Sequence, residues 1–199
     1  MVVPVVYFPS GSAFFTMNLI ILDRDGTINE DSDDYIKSPD EWIPVPGSIE
    51  AIGRLSRADY QVVVATNQSG IARGFYDMDT LNRIHARMIE KVAEQGGQID
   101  GIFICPHGPD DHCECRKPRP GLYIEIAKRL NTNLNGVYAV GDSARDVIAA
   151  REAGATPVLV RTGKGERTLS EPGPELEGVP IFDDLATFTD QLVTGRLKA

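Results

Sequence analysis

Hydrophobic positions fall in two repeating patterns along the chain, short apolar runs and stretches with apolar residues three or four apart. Leu19-Ile20-Ile21-Leu22 is a β-rich run that stops at charged residues and Gly26, as a parallel strand buried on both faces does. Residues 47–58 then place Ile49, Ile52 and Leu55 at helical spacing behind Pro46, with Ser48 as the expected N-cap. A strand at 61–65 is followed by a helix over 79–95. That helix carries Leu81, Ile84, Met88, Ile89 and Val92 on one face and stops at Gly96-Gly97. The pattern continues with a strand at 99–104, a helix at 121–130, a strand at 137–140, a helix at 144–152 ended by Gly154, and a strand at 157–160. A last strand and helix are expected at 181–182 and 185–192, while residues 163–180 have the composition of a surface loop. Such alternation predicts an α/β fold, a doubly wound and mainly parallel sheet with helices on both faces. The segments 26–46 and 70–79 are too short to hold a large cap domain.

Composition narrows the class. The chain has 199 residues, 42% hydrophobic, enough for one domain, expected over 17–199, and too few for two. No apolar run approaches the roughly 18 residues of a membrane span. Residues 1–16 are apolar but lack a positive leading segment and a cleavage site. They are expected to be a disordered extension ahead of a native start at Met17, with a docked extra strand as the other reading. Twenty Lys and Arg against 29 Asp and Glu give a net charge of −9, the wrong sign for gripping nucleic acid over a broad basic face. An anionic ligand must therefore be met by cations gathered locally. Three cysteines make no disulfide framework and point to a reducing compartment, the cytoplasm.

In an open α/β sheet, chemistry sits at the carboxyl ends of the strands. The first run ends in Asp23-Arg24-Asp25-Gly26-Thr27, where two carboxylates at i and i+2 point the same way, suited to a metal or a phosphoryl group. A solvated acidic turn would look the same in isolation. The second run ends in Thr66-Asn67-Gln68-Ser69-Gly70, hydroxyls and amides that can cradle an anion or merely form a turn. Further on stand Lys117 in a K-P-x-P turn and Gly141-Asp142-Ser143-Ala144-Arg145-Asp146.

Cys105-x-His107-x5-Cys113-x-Cys115 gathers every cysteine of the chain with one imidazole. Four such ligands in two close pairs fit tetrahedral Zn²⁺ with no open position, a structural site. His112 is a rival ligand; His85, inside a helix, reads as a surface or satisfied core residue.

The order D-x-D, Thr, Lys and G-D-x-x-x-D, each after its strand, resembles the haloacid dehalogenase superfamily of phosphohydrolases from about residue 19 to 160. The resemblance implies a Rossmannoid sheet with Asp23 as phosphoryl acceptor and Asp25 as the acid that protonates the leaving oxygen and then activates water. It implies Mg²⁺ on Asp23, the backbone carbonyl of Asp25 and Asp142, a hard ion on oxygen ligands. Thr66 would then donate to a phosphoryl oxygen, and Lys117 would offset charge and keep the nucleophile ionised. Asp146 is either an orienter of the metal site or an acid favoured by a helix N-terminus.

The cysteine loop running into Arg116-Lys117-Pro118-Arg119-Pro120-Gly121, with the Thr66 to Gly74 run, resembles the zinc-containing branch of heptose bisphosphate and histidinol-phosphate phosphatases. The implied reaction is removal of the 7-phosphate of a heptose bisphosphate for lipopolysaccharide-core synthesis, with histidinol phosphate as the alternative substrate. Substrate contacts carry over to Asp31, Ser32, Asp33, Asp34, Thr66, Asn67, Gln68, Ser69, Arg116 and Lys117. The implied protein is a cytoplasmic monomer whose partner is a small sugar bisphosphate, with no nucleic acid or membrane. Ser143 stands where some relatives carry Lys, so a contact made by that Lys is not expected here. A DNA 3′-phosphatase fits the acidic balance poorly. A phosphorelay receiver would carry its acceptor after the third strand, and a non-catalytic zinc module would not need all the motif residues.

Overall fold

The structure, a computed structural model, describes residues 5–6 and 18–197. One seven-stranded sheet runs in the order β1-β4-β3-β2-β5-β6-β7. Its strands are β1 (Val5–Val6), β2 (Asn18–Leu22), β3 (Tyr60–Asn67), β4 (Gly101–Cys105), β5 (Tyr138–Gly141), β6 (Thr156–Val160) and β7 (Ile181–Phe182). Strands β2 to β7 are parallel; β1 lies antiparallel on the edge of β4, with Val5 opposite Ile102. Apart from Val5–Val6, the expected extension 1–16 lies outside the described residues.

Alternation along β2 explains why the sheet is covered twice. Ile20 and Leu22 join Val62 and Val64 under α1 (Ser48–Arg57), α2 (Met78–Glu94) and α6 (Leu185–Val193). Leu19 and Ile21 join Val63, Ala65 and Phe103 on the opposite face, under α3 (Gly121–Arg129) and α4 (Ala144–Glu152). Burying both faces of a central strand removes its entire apolar surface from water, at roughly 25 cal/mol per Å².

Local details depart from the sequence reading. Gly47, at φ 80°, is the N-cap of α1, and Ser48 is its first residue; the Ser48 hydroxyl donates to Ile28 O at 2.6 Å, tying the helix to the loop after β2. Helix α2 begins earlier than expected because Asp77 accepts from Thr80 N at 2.8 Å and caps it. Its buried stripe is Leu81, Ile84, His85, Met88 and Val92, so Ile89 falls off that face and is 40% exposed. Residues 163–180 are not a plain surface loop. They form α5 (Gly165–Ser170) and a 3-10 turn at Pro174–Leu176, and Leu169, Leu176 and Val179 pack on Val147 and Leu159. No helix among the described residues is long and apolar enough to cross a membrane.

The chain leaves β2 towards β3 and β4 on one side and returns to pair β5 on the other. This reversal opens a crevice at the carboxyl ends of β2 and β5, and there Asp23 and Asp142 emerge.

Candidate active site

Asp23, buried at the end of β2, accepts from Arg24 N at 2.7 Å and forms an ion pair with Lys117 Nζ at 3.0 Å, both on Oδ1. Its Oδ2 takes no hydrogen bond from any described residue. Lys117, also buried, makes a shorter contact to Asp146 Oδ1 at 2.6 Å and donates to Ala65 O at 2.8 Å. Burial opposes the charge on Lys117, but Asp146 and Asp23 outweigh it and raise the ammonium above its usual range. Asp146, which also takes hydrogen bonds from Ser143, is held below the usual carboxylate range by Lys117 and Arg145 against its burial. Asp23 has the weaker share of Lys117, and burial with Asp146 and Asp25 beside it pushes it up to about 7.

Asp142 completes the cluster. Its Oδ2 accepts from Lys164 N at 2.7 Å while its buried Oδ1 has no partner. Burial, with Asp146 and Asp23 nearby, pushes Asp142 up to about 8. An orphaned carboxylate oxygen beside a second crowded carboxylate, with all the donors oxygen, fits a hard divalent cation. Gly26, at φ 79°, leaves room for it: a Cβ there would collide with the Asp142 carboxylate. Asp23 and Asp142 could hold the ion as expected. The third carboxylate of the cluster, Asp146, is committed to Lys117 and Ser143.

Asp25 is held differently. Its carboxylate takes Arg24 Nε at 3.1 Å and Nη2 at 2.9 and 3.0 Å, Asn29 Nδ2 at 3.0 Å and Gln68 Nε2 at 2.8 Å. Burial would raise this carboxyl, but the charge of Arg24 and hydrogen bonds from Asn29, Arg24 and Gln68 hold it below the usual range, so it is ionised. Each donor is itself fixed. Trp42 Nε1 donates to Asn29 Oδ1 at 2.9 Å, Tyr76 OH to Gln68 Oε1 at 2.7 Å, and Arg24 Nη1 meets His85 Nε2 at 3.3 Å. His85 is thus the satisfied core residue of the two readings, not a surface one. Burial and Arg24 push its imidazole down to about 3, so it stays neutral and can accept from the guanidinium.

These groups floor a cleft of about 190 Å³ whose lining includes Asp31, Ser32, Asp33, Thr66, Asn67, Gln68, Ser69 and Arg116, residues that the resemblance gave as substrate contacts. Two expected contacts are placed otherwise. Asp34 is exposed outside the cleft, with its amide donating to Ser32 Oγ at 3.2 Å, and Lys117 lies beneath the wall, reaching Asp23 from below. Asn67 faces the cleft but also braces the lysine turn, donating to Lys117 O at 3.0 Å and accepting Lys117 N at 3.1 Å. Thr66 Oγ1 accepts from Gln68 at 2.9 Å, which leaves its own proton to donate. Arg73, one of the cations that the sequence places on strand-end loops, lines the cleft, and so do Arg145 and Lys164, which the sequence reading does not single out. Lys164 follows β6, so searching every strand end would have found it.

In the cysteine loop, Cys115 Sγ lies 3.2 Å from Cys105 Sγ, 3.5 Å from Cys113 Sγ and 3.2 Å from His107 Nδ1. Sulfurs this far apart are not disulfide-bonded. They are near the edge lengths, about 3.5–3.8 Å, of a tetrahedron built on Zn–S of ~2.3 Å and Zn–N of ~2.0 Å. The four atoms lie within 4.8 Å of one another. His112, in a left-handed turn, is outside the set.

A family model described as HAD-hydrolase-like matches residues 114–188. D-glycero-beta-D-manno-heptose-1,7-bisphosphate 7-phosphatase of Pseudomonas aeruginosa is 59% identical over 88% of this chain and 98% of its own. The enzyme of that name from Bordetella bronchiseptica is 57% identical over 89% and 98%. The chain belongs to the D-glycero-beta-D-manno-heptose-1,7-bisphosphate 7-phosphatase family. A crystal structure of the D,D-heptose 1,7-bisphosphate phosphatase of B. bronchiseptica, complexed with magnesium and phosphate, superposes with a TM-score of 0.88 over 90% of this chain and 99% of that one. The B. thailandensis (Burkholderia) phosphatase gives 0.71 at 43% identity, covering 89% and 99%. The heptose bisphosphate phosphatase fold is thus the fold of this chain.

The crowded carboxylates give a pH prediction. Asp23 and Asp142 have folded values above the ordinary 3.8, so at these two groups the folded protein binds more protons than the unfolded one between about pH 4 and 8. Their contribution is full below that window and is lost as pH rises through it. Mg²⁺ competes with those protons. At ~100 times its Kd it should raise Tm by about 5–10 °C at pH 8 and by clearly less at pH 5.5. Equal shifts at the two pH values in thermal melts would contradict the assignment.

Proposed function

We propose that this protein removes the 7-phosphate of D-glycero-D-manno-heptose 1,7-bisphosphate through an aspartyl phosphate on Asp23. The observation that carries the reading is that Asp23, Asp25 and Thr66 line one cleft, with Lys117 paired to Asp23 and Asp142 clustered with it, in a chain 57–59% identical to phosphatases of that name. Magnesium on Asp23, the Asp25 carbonyl and Asp142 supplies charge neutralisation for the phosphoryl group when bound.

Asp23 Oδ2, free of hydrogen bonds, attacks phosphorus as the bond to the sugar oxygen breaks. The Thr66 hydroxyl donates to a phosphoryl oxygen, and Lys117, paired with Asp23, offsets charge and keeps the nucleophile ionised. The departing oxygen needs a proton, and Asp25 as placed has none to give. In this reading Asp25 turns from Arg24 and takes up a proton as the substrate anion arrives, gives it to the leaving oxygen, and then as carboxylate takes one from the attacking water. That water displaces Asp23 and releases inorganic phosphate. Zinc on Cys105, His107, Cys113 and Cys115 shapes the loop that leads into Lys117 and holds Arg116 through His107 O. Thiols kept for a metal suit a reducing cytoplasm, and a monomer carries every group named.

A phosphate-release panel of the two heptose bisphosphate anomers, fructose bisphosphate and histidinol phosphate tests the reading. Heptose bisphosphate is expected to lead by at least about tenfold in kcat/KM, worth ~1.4 kcal/mol. A lead for histidinol phosphate would replace it.

A further inference from the structure

Three side chains hold the Asp25 carboxylate, and each is gripped in turn by a residue that does not bond to Asp25. Asn29 is held by Trp42 and Gln68 by Tyr76, from the loops after β2 and β3. Arg24 is held from a helix instead: His85, in the middle of α2, meets its Nη1 at 3.3 Å. His85 is buried and is not among the residues lining the cleft, so it is out of reach of a substrate there.

Arginine has donors and no acceptor, so the contact is a hydrogen bond only when His85 Nε2 is unprotonated and the ring proton sits on Nδ1. Burial and the Arg24 charge keep the ring in that neutral form. Nη1 has no other partner among the described residues. The Nε and Nη2 bonds of Arg24 all go to Asp25, so they are lost together when the carboxylate leaves to carry a proton. A guanidinium held by those bonds alone would follow the carboxylate. A neutral acceptor behind it keeps it in place without taking up its charge, which a carboxylate in the same position would do.

We propose that His85 is a positioning residue for phosphoryl transfer: by fixing Arg24 through Nη1 it sets where Asp25 docks, and so how well Asp25 delivers its proton to the leaving oxygen. The inference rests on Asp25 being the acid and extends that role to a residue outside the cleft. In the step concerned, Asp23 Oδ2 bonds to phosphorus, the bond from phosphorus to the sugar oxygen breaks, and the Asp25 proton passes to the freed oxygen.

The test compares two leaving groups on one preparation of the full chain with Mg²⁺. The sugar oxygen of the heptose bisphosphate needs a proton to leave, whereas p-nitrophenolate departs from p-nitrophenyl phosphate as a stabilised anion. kcat/KM covers the steps up to transfer onto Asp23, and the ratio of the two values does not depend on how much of the preparation is folded. In His85→Leu, kcat/KM for the heptose bisphosphate should fall about 10–100-fold, part of the roughly 10²–10⁴-fold that a positioned acid contributes, and that for the aryl ester by less than about threefold. His85→Gln, whose Oε1 can accept from Nη1, should restore the ratio to within about threefold of the parent. Equal losses on both substrates, no loss on either, or a Gln variant as selective in its loss as the Leu variant would each overturn the proposal. Asp25→Asn is the reference and should show the same selective loss, larger. A selective loss there without one in His85→Leu overturns the role of His85 alone, whereas equal losses there overturn Asp25 as the acid, and the His85 role falls with it.

Discussion

Asp23→Asn is expected to cut phosphate release from the heptose bisphosphate by about 10⁴-fold or more while leaving Tm unchanged or slightly higher. The two halves of this result have one cause. Asparagine keeps an oxygen for the Arg24 amide but cannot form an acyl phosphate that water readily opens. It also removes a carboxylate whose ionisation the fold resists, as the rise to about 7 records. Lys117 keeps Asp146 and Ala65 O, so the buried ammonium is not stranded. Phosphate release and thermal melting on the same preparation decide it. A rate within tenfold of the parent would remove Asp23 as nucleophile, and a collapsed Tm would mean the loss was structural.

Much of the fold was legible because its strands are buried on both faces and its helices on one. Leu19 to Leu22 had to be internal, and the stripe from Leu81 to Val92 had to face a sheet. The motif residues were legible for a related reason, since strand ends converge at the reversal between β2 and β5 and anything chemical placed there meets. What periodicity could not supply was the support behind Asp25. Trp42 is a core residue whose indole N–H also fixes Asn29, which in turn fixes Asp25. Arg24, between two acids, is 1% exposed and meets His85 on α2, a contact 61 residues away. Lys164 was hidden by the Gly- and Glu-rich composition of 163–180, where a helix too short to show periodicity forms against Val147 and Leu159.

The zinc loop yields the other large effect. Cys115 has the shortest contacts of the four ligands, so Cys115→Ser should lose bound zinc, from about one ion per chain towards none, and lower Tm by roughly 6–12 °C, an apparent loss of ~3 kcal/mol. The kinetic consequence separates two neighbours in sequence. Arg116 hangs from His107 O and so moves with the metal loop. Lys117 is anchored from the sheet by both ends of the Asn67 amide and by Asp146, contacts that do not depend on zinc. Losing the metal should therefore raise KM for the bisphosphate more than it lowers kcat, and a chelator applied to the parent enzyme, with Mg²⁺ restored, should reproduce the same split. Normal zinc content in the variant would show the ligand set to be wrong. A fall confined to kcat would mean that zinc holds Lys117 rather than Arg116, and that the Asn67 brace is not enough to place the lysine on its own.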